Sequence, residues 1–476
     1  MISQKIKCSL IKNPESAIDY VKNCADFWLR NYDESAGGFY TNVKRDGSLI
    51  DTSKSMICQS RTAFGLSKAF MLTGNLGYLT YAEKALKFMS DKARDIKNGG
   101  WITELDKNGN EIKISELNKS KWSFMQHYAL LGLTAYSEVS KNQTYAKLLL
   151  NEREILDKHL WDSRSEFSGY FETADRNWKN VYGKGYKSNM DAISAHLLSC
   201  YLQTYDKKSE TKLITAADNI VKYFIPAMKH FKYGFPEYYS NDWQPDLNEK
   251  IVFTGHLLST AWLLARIYLL EPEKKYLDSA IKLIDQVIEK GFDEKNKSCY
   301  SNFNGFTGEK LNSNKEWWQL EEAFNVGTIL FYITKNEKYL TFADSCLEFY
   351  RNNFIDEKFG EVYTLCSEDG NVIHDKKGFL WKSAFHSIEL GFYIYCYTNL
   401  YLHKTPVTLY YNFDSENYDR EIKLTPIETL DDKLIITKVI KEEAEFKNFS
   451  DENRILFLKK EMGGKFKIQF EIENRE

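Results

Sequence analysis

Gly37-Gly38-Phe39-Tyr40-Thr41, followed by a second turn at Asp46-Gly47, is one of six related stretches that decide the architecture of this chain. Paired glycines allow a tight turn and the aromatic run after them favours a short strand, so the stretch predicts a small β-hairpin. It recurs at Gly99-Gly100-Trp101, Ser168-Gly169-Tyr170, Tyr233-Gly234-Phe235 and Ser298-Cys299-Tyr300, and at Gly360-Glu361-Val362 with valine in place of the aromatic. From residue 39 the steps are 62, 69, 65, 65 and 62, the signature of an internal repeat.

Between these turns the period is helical. Tyr81, Ala85, Phe88 and Met89 recur at three- and four-residue steps, as do Ile214, Ala217, Val221 and Phe224. Each unit therefore predicts a helix, a hairpin and a second helix, twelve helices in all over about residues 14–404. The first helix of a pair is amphipathic, as in 15–30 and 274–290. The second is apolar on more faces, as in 254–270 and 385–402, and a helix apolar nearly all round must be buried. Six such pairs close into an α/α toroid (barrel) with the apolar helices inside and the hairpins on one face. From about Pro406 the pattern turns to alternation over 407–413, 420–424, 434–440, 454–460 and 465–473. The expected division is thus an α/α barrel over residues 1–404 and a small β-rich, sandwich-like region over 405–476, which caps the toroid or contacts another copy, with a sugar-binding module or an active-site lid as the alternatives.

Charge argues against some partners. With 64 basic and 67 acidic residues the net charge is −3, so no field steers nucleic acid or an anionic membrane to the chain. No stretch reaches the roughly 18 apolar residues of a membrane span. The eight cysteines lie far apart without C-x-x-C spacing and read as reduced thiols, which predicts a cytoplasmic protein. Aromatic residues make up 15% of the chain, with 31 Tyr and 10 Trp, and such rings suit sugar faces. The expected partner is a small-molecule sugar. A homo-oligomer stays open.

Stepping by 65 from Arg61 along the inner helices lands on Gln126, Asp191, His256, Glu321 and His386, all polar. Buried polar groups cost about 1–3 kcal/mol each if unpaired, so six around one axis predict a ligand pocket. Two histidines suit removal and return of a proton beside a carbonyl, and a guanidinium suits the oxyanion of an enediolate. Trp122, Trp317, Trp318 and Trp381, at or just before inner-helix starts, are expected at the pocket mouth. Metal, phosphate and nucleophile-elbow motifs are absent, so no metal and no cofactor are expected.

The chain resembles the N-acylglucosamine 2-epimerase superfamily, which includes cellobiose 2-epimerases and aldose–ketose isomerases. The likeness runs over about residues 20–400 and rests on Phe27-Trp28-Leu29, Asp33, Lys54, Gln59, Arg61, Gly255-His256, Ala261-Trp262-Leu263-Leu264, Lys315, Trp317-Trp318, Glu322-Ala323, Lys382 and Phe385-His386. It implies an α/α barrel in which His256 and His386 exchange the C2 proton of a free reducing sugar through an enediolate, beside Arg61. It also places the family glutamate on Glu322 rather than Glu321. Three positions depart from the family pattern: Asp191 and Ser194 stand where histidine and glutamate are expected, and Ser259 replaces the glutamate after the Gly-His pair. The expected activity is a sugar 2-epimerase or isomerase. The alternatives are a glycoside hydrolase using Asp191 with Glu321 or Glu322, and a sugar-binding protein without turnover.

Overall fold

The computed structural model describes residues 6–473. After one helical turn at Ser9–Lys12, twelve helices follow in pairs: α1 (Ser16–Leu29) and α2 (Met56–Thr73), α3 (Leu76–Lys92) and α4 (Ser123–Ser140), α5 (Gln143–His159) and α6 (186–204), α7 (207–227) and α8 (Thr254–Leu270), α9 (274–291) and α10 (Trp317–Thr334), α11 (Glu337–Asn353) and α12 (385–403). Helices α6, α7, α9 and α12 each include a π-helical turn. Odd-numbered helices bury one face, whereas every residue of α2 from Met56 to Leu72 is buried. The even helices are therefore the inner ring of the α/α toroid, as their all-round apolarity requires.

Glycine lets these inner helices touch. A Cβ on Gly65 would lie 2.3 Å from the Ala384 carbonyl oxygen, and one on Gly132 would lie 2.4 Å from that of Ser60, so α2 meets α12 on one side and α4 on the other. The return to the outer ring is equally tight. Gly74, Lys141, Tyr205 and Lys335 end inner helices in the left-handed conformation, and Asn75, Asn142, Asp206 and Asn336 cap the next outer helix through their side chains.

The short strands do more than form hairpins within a unit. Lys54–Ser55 pairs with Glu104–Leu105, Ser120–Trp122 with Thr173–Asp175, Lys184–Gly185 with Tyr238–Tyr239, Ile251–Phe253 with Asn302–Asn304, and Lys315–Glu316 with Leu365–Cys366. Each strand before an inner helix is hydrogen-bonded to the next unit, and the Val43–Gly378 bridge joins the sixth unit to the first. The expected local hairpins in the first two units are reduced to the single bridges Val43–Leu49 and Leu105–Glu111.

A buried lysine sits at the same place in five units. Lys54 pairs with Asp33 at 2.8 Å, Lys121 with Asp95 at 3.0 Å, Lys184 with Asp162 at 2.8 Å, Lys315 with Asp293 at 2.9 Å and Lys382 with Glu361 at 2.5 Å. In the fourth unit Val252 occupies that place. Each lysine ties the strand that starts an inner helix to the turn that ends the outer one, so the pairs set where each inner helix enters the ring.

The C-terminal β-rich region has a four-stranded antiparallel sheet in the order Val407–Phe413, Gly464–Ile472, Leu434–Lys441, Ala444–Glu445, and a three-stranded one in the order Arg420–Lys423, Ile455–Leu458, Phe449–Ser450. It lies on the face where inner helices end. Tyr410 packs on Gly74, Thr408 N donates to Tyr395 Oη at 3.0 Å, and Asn142 Nδ2 donates to Asp414 at 2.7 Å. The inner helices begin on the opposite face, among the turns, and the pocket opens there. Among the described residues no helix is long and apolar enough to cross a membrane, and all eight cysteines are free and buried.

Candidate active site

Counting seven residues on from the lysine place of each unit gives Arg61, Tyr128, Asp191, Ser259, Glu322 and Glu389. All six line one cavity of about 600 Å³ at the centre of the ring. That volume lies in the range of roughly 300–1,000 Å³ usual for ligand sites. His256 and His386 line it too, each three residues before a ring member and hence one helical turn nearer the mouth.

Each histidine is held at Nδ1 by a carboxyl group: His386 by Glu321 at 2.8 Å and His256 by Glu237. Among the described residues no hydrogen bond occupies either Nε2. Such a partner decides what Nε2 presents. With the proton on Nδ1, Nε2 is a bare base; with the proton on the carboxyl, Nε2 carries the N–H and is an acid. The Trp318 ring stands beside both histidines, 5.4 Å from His256 and 6.2 Å from His386 between centroids, and Tyr186 stacks on His256 at 4.1 Å. Trp318 lies flat against the backbone of Gly255, where a Cβ would be 2.3 Å from its Cη2, and its Nε1 donates to Glu316 at 2.7 Å.

Burial dominates the electrostatics. It lifts Asp191 from 3.8 to about 7 against the pull of His256, Lys187 and Arg61. It also lifts Glu389 to about 7, and it raises Glu322 and Glu321 well above the usual carboxylate range with help from Glu389. It lowers His386 well below the usual histidine value, and Arg61 and Lys382 add to the effect. The inner site thus favours neutral acids beside a neutral His386 imidazole, with Asp191 and Glu389 placed to give or take a proton near neutrality. Arg61 stands among them; its guanidinium packs 4.2 Å from the Tyr128 ring centre and donates to the Trp381 carbonyl. Among the described residues, Glu321, His386 and Glu389 are the group whose atoms, all within 4.8 Å of one another, could hold a metal ion.

The structure therefore brings Arg61, Asp191, His256, Glu322, His386, Trp317, Trp318 and Trp381 to one cavity. Glu321 lies behind the wall as the partner of His386. Gln126 and Trp122 do not line it. Gln126 is consumed by backbone pairing, accepting from Trp101 N at 2.8 Å and donating to Trp101 O at 3.1 Å, just as Gln59 holds Phe39 and Asn189 holds Tyr170. Trp122 belongs to the strand paired with Thr173–Asp175 and packs against the core from outside the cavity. Sequence reasoning missed Tyr128, Tyr186, Glu237, Arg266 and Glu389. A signal for Glu237 existed: Gly169-Tyr170-Phe171-Glu172 and Gly234-Phe235-Pro236-Glu237 place a glutamate two residues after the repeat aromatic, 65 residues apart.

Known proteins resemble the chain over most of its length. The chain is 22% identical over 384 residues to a D-mannose isomerase of Marinomonas mediterranea, covering 78% of this chain and 93% of that protein. It is 24% identical over 391 residues to a cellobiose 2-epimerase of Ruminococcus albus, covering 76% and 92%. The solved structure of a cellobiose 2-epimerase from Spirochaeta thermophila superimposes with a TM-score of 0.74 at 18% identity, covering 83% of this chain and 99% of that one. The family model for N-acylglucosamine 2-epimerase matches residues 38–388, which include every inner helix start and both histidines, and the chain belongs to that family.

Proposed function

We propose that the protein is a carbohydrate epimerase or aldose–ketose isomerase that moves the C2 proton of a free reducing sugar between two histidines. The observation that carries this reading is the matched pair His256–Glu237 and His386–Glu321, two imidazoles on one cavity, each with Nδ1 engaged and Nε2 available. One Nε2 takes the proton from C2, and the electron pair left behind delocalises onto O1 as an enediolate. Arg61, a fixed cation at the same cavity, stabilises that oxygen. Return of a proton to C2 from the other histidine inverts the centre, whereas return to C1, with the O2 proton passed to O1, makes the ketose. A sugar lying against Trp318 is adjacent to both imidazoles.

Closed sugars must open first. Asp191, which stands where the family pattern has histidine and is lifted to about 7 by burial, is suited to carry the proton between ring oxygen and O1. The relatives named as D-mannose isomerase and cellobiose 2-epimerase define the substrates to try. Incubation with mannose, glucose, fructose, cellobiose and N-acetylglucosamine, followed by proton NMR, tests the proposal. A C2 epimer or a ketose is the expected product. Release of a monosaccharide from cellobiose would instead indicate hydrolysis by Asp191 and Glu322, and saturable binding without any product would indicate a sugar-binding protein.

A further inference from the structure

One cation on the cavity wall takes its counter-ion from outside the toroid. Arg266, near the C-terminal end of α8, lines the cavity, and its Nε and Nη2 donate to one oxygen of Glu428 at 2.9 and 2.7 Å. The pair is sealed, with the Glu428 side chain 0% exposed and that of Arg266 8%. Glu428 belongs to the segment joining the strands Arg420–Lys423 and Leu434–Lys441, which enters the ring where the inner helices end. There the Glu428 carbonyl accepts from Tyr401 Oη at 2.5 Å, and Leu430 N donates to Tyr332 Oη at 3.2 Å. The guanidinium lies 5.0 Å from the Trp262 ring centre and 5.6 Å from that of Tyr393.

This segment is beyond the family match at residues 38–388. The cellobiose 2-epimerase structure is covered at 99% by 83% of this chain, so about a sixth of the chain has no counterpart there.

We propose that the β-rich region is a working part of the active site, with Glu428 as a positioning residue that neutralises Arg266 and holds its guanidinium apart from Glu322 and Glu389. The inference rests on the cavity being the epimerase or isomerase site. Glu322 and Glu389 line the same cavity, and for both burial favours the neutral acid while Arg266 opposes it. Their other neighbours are Asp191 and Ser259 toward Glu322, and Arg61, Lys68 and Glu321 toward Glu389; Tyr393 and Tyr397 flank Arg266. Lys68 already pairs with Glu138 at 2.8 Å. If Glu428 loses its charge, the buried guanidinium is left unpaired, and the nearest way to restore neutrality is to ionise one of the two cavity glutamates.

The test compares full-length Glu428→Gln, Glu428→Asp, Arg266→Met, the double variant Arg266→Met/Glu428→Gln, and Tyr410→Ala as a control that loosens β-region docking elsewhere. Two readouts are taken: kcat/KM against pH on the sugar that the wild type converts, and the infrared carbonyl band of protonated carboxyl groups, which needs no turnover. Glu428→Gln is expected to lose at least about tenfold in kcat/KM and to weaken that band at neutral pH. Glu428→Asp retains both, the double variant matches Arg266→Met within about twofold, and Tyr410→Ala lowers Tm without moving the pH profile. An unchanged band and rate in Glu428→Gln, or additive losses in the double variant, would overturn the proposal. Should Glu428→Gln fail to fold, the comparison of Arg266→Met with the double variant still decides. A wild type inert toward every sugar would count against the functional reading alone, because the infrared comparison stands without it.

Discussion

Adding one methyl group at Gly255 separates the stability of the site from its chemistry. In Gly255→Ala the new Cβ would stand 2.3 Å from Cη2 and 2.4 Å from Cζ3 of Trp318. Carbon atoms rest about 3.5–4.0 Å apart, so the indole must retreat by more than about 1 Å. Retreat breaks the 2.7 Å bond from Trp318 Nε1 to Glu316 and drives the ring into the space beside His256 and His386. Overpacking costs about 1–3 kcal/mol, offset by up to about 1 kcal/mol because alanine favours the helix over glycine. The net loss is therefore at most about 3 kcal/mol, a shift of a few degrees in Tm. Turnover falls much further, by about 10²-fold, as expected when reacting groups are misplaced by about 1 Å. Thermal melts and initial rates read the two effects separately. Because the clashing atoms belong to the six-membered ring of the indole, Gly255→Ala/Trp318→Phe should recover part of the rate lost by Gly255→Ala. A single variant with wild-type turnover, or a double variant no better than the single, would refute the reasoning.

Other consequences are equally open to measurement. Asp191 binds its proton more tightly folded, at about 7, than at its ordinary 3.8, so the neutral acid stabilises the fold below pH 4 and that contribution is lost as pH rises through 7. Asp191→Asn should therefore be more stable than the wild type above pH 7, with a ceiling of about 4 kcal/mol reduced by solvent in the cavity, and urea midpoints at pH 4 should coincide. Lys315→Met leaves Asp293 buried without its cation and should cost about 3–5 kcal/mol in denaturant unfolding, whereas a loss under about 1 kcal/mol would show that the repeated pair does not set the ring. Glu237→Gln removes the carboxylate behind His256 while keeping its size; kcat should drop by about 10²-fold with KM nearly unchanged, and a change confined to KM would assign Glu237 to sugar binding.

How far the site could be read from sequence follows from the spacing of the inner helices. Periodicity exposed the twelve helices and the strands after 406, because each signal runs over many residues. The exact register was harder. The lysine places, with Val252 standing in for the fourth, are 67, 63, 68, 63 and 67 residues apart, so a uniform step of 65 drifts by two or three residues between neighbours. Two residues rotate a helical position by about 200°, enough to turn it from cavity to wall. That drift explains why the uniform step lands on Gln126 rather than Tyr128 and on Glu321 rather than Glu322, which the family resemblance indicates, while Arg61 and Asp191 fall on the true ring. The histidines surfaced because they sit one turn away on the same face. Arg266 stayed hidden for another reason: it lies more than three turns into α8, beyond an apolar run from Ala261 to Ala265, and its partner Glu428 is 162 residues away.

The central claim is that His256 and His386 carry the C2 proton, and the most direct measurement is deuterium entry in heavy water at the carbon that receives the proton, C2 of an aldose product or C1 of a ketose product, followed by NMR for the wild type, His256→Ala and His386→Ala. The account predicts label at C2 of an epimer or at C1 of a ketose with the wild type, and a fall of about 10²–10⁴-fold in the chemical step for at least one variant, and for both if the product is the C2 epimer. Conversion without any label at C2 of an aldose product or C1 of a ketose product, at a rate that neither histidine variant changes but Asp191→Ala abolishes, would contradict it.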